Sequence, residues 1–84
     1  MLIELHKIAD KAWSNMSKAT QKEYDEGIKF ALENLSVNYN GTKKECIDYL
    51  TDKINIAIHN SVNNYKLYVG TIVLYNAMIK ELLY

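Results

Sequence analysis

A chain of 84 residues has room for one hydrophobic core and no second domain, since even a domain of about 60 residues buries only ~60% of the surface its unfolded chain exposes. With 49% hydrophobic and 24% charged residues, it lies far from the low hydrophobicity and high net charge of disordered chains. Ten lysines and no arginine cancel ten carboxylates, which removes both the field that draws in polyanions and the guanidinium fork that reads phosphate and guanine; nucleic acid is disfavoured as a partner.

From the N-terminus, Leu2, Leu5, Ile8, Ala9, Ala12, Trp13 and Met16 recur at three- and four-residue steps, with Glu4, Lys7, Asp10 and Lys11 largely opposite. This spacing predicts an amphipathic helix over residues 2–15. The interspersed charges, and the lack of an apolar run ending in a small-residue cleavage site, give no export signal. A cytoplasmic location is expected, in keeping with Cys46 as the only cysteine, because a disulfide framework needs a pair.

Thr20 and Glu23 have the spacing of a capping box, Asp25 and Glu26 add negative charge to the first turn, and Ala19 with Tyr24 would staple the start. A second helix is expected from there, burying Tyr24, Gly27, Ile28, Ala31, Leu32 and Leu35. Residues 37–41, ending in Asn40-Gly41, are a turn signal that stops it. Thr42 and Glu45 repeat the capping-box spacing and open a third helix, with a stripe of Cys46, Ile47, Leu50, Ile54, Ala57 and Ile58. Ile54, Ile56 and Ile58 also alternate with polar or small residues, the period of a half-buried strand.

Asn60, Ser61, Asn63 and Asn64 make a polar connection. After it, Tyr65, Tyr68, Ile72, Tyr75, Ile79 and Leu82 at heptad spacing predict a fourth helix over residues 65–84. Residues 67–74 are rich in β-formers, so a hairpin of residues 53–59 against 66–75 is the rival. The expected fold is all-α, a small antiparallel bundle of about four helices in a single domain over residues 1–84. The alternative is α+β with a C-terminal β-hairpin. Gly27 and Gly70 sit inside helical patterns, where each costs about 1 kcal/mol relative to alanine; close approach of a neighbouring backbone would account for both.

No charged residue falls within residues 67–79, and a helix that is apolar nearly all round has to be enclosed by protein or lipid. That run falls short of the ~20 residues needed to span hydrocarbon, and Lys66, Asn76 and Lys80 argue against insertion. The covering is then the rest of the bundle or another protein surface. Tyrosine suits such surfaces, where an apolar ring ends in a hydroxyl. The candidate interface is Tyr65, Tyr68, Val69, Ile72, Tyr75, Ile79 and Leu82, with a homodimer through the last segment as the expected assembly.

Chemistry-bearing residues form no recognisable constellation. His6 and His59 lack a metal-ligand spacing, and Cys46 has no nucleophile signature around it. Glu45, Asp48 and Asp52 form a strip that reads as a solvated helix face, and phosphate-binding glycine loops and CxxC pairs are absent. No catalytic, cofactor-binding or metal site is assigned, and the chain is not expected to be an enzyme. The expectation is a small binding module that occupies the surface of another protein, with size and residue usage suggesting a phage or mobile-element accessory protein or inhibitor. A four-helix immunity-like protein at the inner membrane face is an alternative by analogy of size and helix count alone. A helix-turn-helix DNA-binding regulator is a second. Against it, Lys43, Lys44 and Lys53 are mixed with three carboxylates on the helix that would enter the major groove.

Overall fold

The computed structural model describes residues 1–84. In chain order it runs β1 (Leu2–Glu4), α1 (Leu5–Ser14), α2 (Lys18–Glu23), α3 (Asp25–Asn34), β2 (Asn38–Asn40), α4 (Lys43–Asn60) and α5 (Tyr65–Leu83). The predominantly helical expectation holds, with one helix more than four and a small two-stranded sheet added. Both halves of the rival C-terminal hairpin are helical: residues 53–59 belong to α4 and 66–75 to α5, joined through the turn after Asn60. The sheet lies elsewhere. β1 and β2 pair antiparallel with Leu2 opposite Asn40, Ile3 opposite Tyr39 and Glu4 opposite Asn38.

The first expected helix therefore starts three residues late. Ile3 is buried while Leu2 and Glu4 on either side are exposed, the alternation of a strand rather than a helical stripe. The pairing is continued by Gly41 N–H donating to the Met1 carbonyl at 2.8 Å and Leu5 N–H to the Val37 carbonyl at 3.1 Å. The turn expected at residues 37–41 accordingly contains a strand, β2.

The second helix is corrected as well. Its cap is Ser17, whose hydroxyl accepts the Thr20 N–H at 3.1 Å, so Thr20 lies inside α2 and is not its cap. The segment breaks at Tyr24, which leaves helical geometry at φ −107°, ψ 17°. Asp25 and Glu26 do supply the negative first turn, but of α3. By contrast the third start is as read: Thr42 Oγ1 accepts the Glu45 N–H at 3.1 Å while Glu45 Oε1 accepts the Thr42 N–H at 2.9 Å.

The elements meet on α5, against which α4, α3 and α1 all pack. Leu74 and Met78 of α5 are wholly enclosed, together with Leu5, Ile28, Cys46 and Leu50 from the surrounding helices. Gly27 and Gly70 are the close approach anticipated from sequence, and they approach each other. A Cβ on Gly70 would stand 2.5 Å from Gly27 Cα, and one on Gly27 would stand 2.5 Å from both Gly70 Cα and the Leu67 carbonyl oxygen. Two bare backbones in contact let α3 lie directly on α5.

Candidate functional site

Helix α5 distributes the seven candidate interface residues over different surroundings. Tyr75 and Leu82 are 3% and 7% exposed and belong to the core of this chain, so neither is presented to a partner. Tyr68 is half-buried, with its ring edge-on to Phe30 of α3 at a centroid distance of 5.5 Å and an interplanar angle of 81°. Val69, Ile72 and Ile79 are half-buried and Tyr65 is 68% exposed. Tyr65, Ile72 and Ile79 share one seven-residue row, continued by Leu83; Ile72 and Ile79 rest against the edge of the core, half-buried, while Tyr65 and Leu83 are exposed. On α4, Ile58 and Val62 just beyond its end are likewise exposed.

Two clefts flank the N-terminal half of α5. The larger, about 470 Å³, opens where the α2–α3 elbow faces the start of α5, and its lining includes Tyr24, Tyr65 and Val69. Lys22 and Lys66 line it together with Glu23, Asp25 and Glu26, so its wall carries both cations and carboxylates. Asp25 is already paired with Lys29 at 3.0 Å.

The second cleft, about 210 Å³, exists because α3 and α4 both lean on α5 without packing closely on one another. Tyr68, Thr71 and Tyr75 of α5 form its floor; Phe30 and Asn34 stand on the α3 side, and Lys53, Ile56, Ala57 and Asn60 on the α4 side. Thr71 is buried and donates to the Leu67 carbonyl at 3.2 Å. The Tyr75 hydroxyl reaches only the Ala31 carbonyl, at 3.5 Å, the outer limit of a hydrogen bond. Burial first, and then the neighbouring Tyr49, push the Tyr75 phenol above its ordinary pKa, so it is a neutral O–H donor. Lys53 is half-buried, with its ammonium 5.5 Å from the Tyr49 ring centroid.

Sequence reasoning did not find this second cleft. Its signal was the apolar residues outside the buried stripes: Phe30 falls outside the stripe read for α3, and Ile56 outside that of α4. The remaining chemistry-bearing residues stay apart. His6 Nε2 lies 3.1 Å from the Leu35 carbonyl, and His59 is exposed. Cys46 is buried, which raises its thiol pKa and suppresses the reactive thiolate. No group of three or more His, Cys, Asp or Glu side chains comes together in a metal-holding arrangement. No helix is long and apolar enough to cross a membrane.

No protein-family model matches the chain, and neither a curated protein nor a solved structure is similar to it.

Proposed function

We propose that this chain is a small non-catalytic binding module that associates through the outward row of α5, with a second copy of itself as the first occupant. The observation that carries the reading is that row: Tyr65, Ile72, Ile79 and Leu83 run along one side of the helix, with Val69 beside them, and all remain half-buried or exposed after the chain has folded. Val62, 86% exposed, and Ile58 extend the apolar surface at the α4–α5 end.

Surface area supports it. The accessible surface is 5531 Å² for 9.7 kDa, about 400 Å² above the ~5,100 Å² that the surface–mass relation gives for a folded monomer. A stable dimer covers about 800 Å² on each partner, so the excess alone would supply half of one. The finer reading, an accessory or inhibitory protein of a phage or mobile element, rests on size and residue usage. The mixed charge of α4, with Glu45, Asp48 and Asp52 among Lys43, Lys44 and Lys53, does not favour DNA as the partner.

Light scattering across a dilution series tests the reading. The expected result is a mass of twice 9.7 kDa that falls toward the single-chain value on dilution, and a Leu83→Asp variant, at a 60% exposed position of the row, that is folded by circular dichroism yet monomeric throughout. A wild-type chain that stays monomeric at every concentration sinks self-association, and a dimer indifferent to Leu83→Asp moves the interface off this row.

A further inference from the structure

We propose that the cleft between α3 and α4 binds a small aromatic carboxylate, one ring carrying a carboxylate on a short arm. The proposal is independent of the outward row of α5. A volume of about 210 Å³ lies below the ~300–1,000 Å³ of pockets for drug-sized ligands, and so fits a single ring with a short substituent. The seat for the ring is built: Phe30 and Tyr68 meet edge-to-face at 5.5 Å, and Ile56 on the opposite wall is exposed toward solvent. A third ring placed there adds to an existing aromatic pair.

The polar groups select the sign of the substituent. Lys53 is the only charged residue lining the cleft and has no carboxylate within salt-bridge distance. Tyr75 lines the floor at 3% exposure, and its hydroxyl donates to the Ala31 carbonyl at 3.5 Å, a long hydrogen bond that a nearer acceptor would replace. Asn60 adds a side-chain amide that makes no hydrogen bond within the chain. Donors without a competing carboxylate, beside an aromatic seat, match an anionic acceptor attached to a ring. The larger cleft at the α2–α3 elbow gives no such selection, because Glu23, Asp25 and Glu26 line it along with Lys22 and Lys66.

The test is an NMR titration of the full chain, labelled with ¹⁵N, using 3-phenylpropanoate as the probe and 3-phenylpropan-1-ol and propanoate as controls. The expected result is binding with a Kd of about 0.1–1 mM, with shifts confined to the Asn34 and Asn60 side-chain amides and the backbone around Ala57 and Thr71. The alcohol should bind about threefold to fivefold more weakly, and Lys53→Gln should remove that preference for the acid while leaving the alcohol's affinity unchanged. Ile56→Lys, at an exposed rim position, should weaken both ring compounds. Absence of shifts at millimolar acid, shifts centred elsewhere, or equal binding of acid and alcohol would each overturn the proposal. A helical peptide bearing Phe and Glu one turn apart that binds tighter than the free acid would also overturn it, by assigning the same chemistry to a protein segment.

Discussion

Tyr68, Tyr75 and Leu82 recur along α5 at the same seven-residue step as Tyr65, Ile72 and Ile79, and the second row, with two isoleucines and one tyrosine, is no less apolar than the first. The first turns toward the other helices and ends with Tyr75 and Leu82 in the core; the second stays at the margin, with Ile72 and Ile79 half-buried against the core edge and Tyr65 exposed. Hydrophobicity does not separate them. What separates them is where the neighbours can come close, and the closest approach is made by Gly70 against Gly27, which brings α3 onto one side of α5. The lesson is that periodicity defines the sides of a helix, while the smallest residues decide which side is covered.

That contrast can be broken at its inner side first. Leu74 is wholly enclosed, so Leu74→Ala should cost about 3 kcal/mol through lost transfer energy and the cavity left behind, read as a lower urea midpoint at unchanged slope. Gly70→Ala should come next. Its new methyl would meet only backbone, Gly27 Cα at 2.5 Å and Gly27 C and the Tyr24 carbonyl oxygen at 2.8 Å. Overpacking then outweighs the ~1 kcal/mol of helix propensity that alanine adds, leaving a net loss of about 2 kcal/mol. A Gly70→Ala chain more stable than the parent would show that the two backbones do not meet.

Smaller effects sharpen the comparison from outside it. Thr42→Ala removes the α4 cap and should cost about 1 kcal/mol. The cap also carries a pH dependence. Hydrogen bonds from Thr42, backbone first and side chain second, hold the Glu45 carboxyl below its ordinary pKa. Its contribution is therefore complete above the ordinary glutamate range and is lost as pH falls through the lowered folded value. Thr42→Ala keeps the backbone donor and removes only the smaller, side-chain one, so the acid limb of the stability curve should flatten only in part, and Glu45→Gln should remove it. Least of all, Tyr65→Ser on the outward row should stay within about 0.5 kcal/mol of the parent monomer, with its effect reserved for self-association measured by light scattering.

The features that could be read from the sequence are those with local causes. The start of α4 was legible because Thr42 and Glu45 complete their hydrogen bonds with each other. The glycine pair was legible because each residue defied helix propensity where it stood, and only contact could justify that. The start of α2 was misread because Ser17 and Thr20 are both cap formers and the break at Tyr24 leaves no mark in the pattern. The sheet was missed because its strands have three residues each, one of them Asn-Tyr-Asn, and pair across the three helices that separate them in the chain. The α3–α4 cleft was missed for a related reason: Phe30 and Ile56 lie on different helices and acquire a shared purpose only after both dock on α5.

Helix α5 is the element that α1, α3 and α4 all pack against, and it is also the last of them in chain order. Synthesis proceeds from the N-terminus at about 5–20 residues per second, so every earlier helix emerges from the ribosome before its partner exists. Residues 1–64 then hold amphipathic segments with no common surface to dock on, and short helices are marginal in water without such docking. Productive collapse has to wait for residues 65–83, and the nascent chain should be protease-sensitive until α5 has left the ribosome.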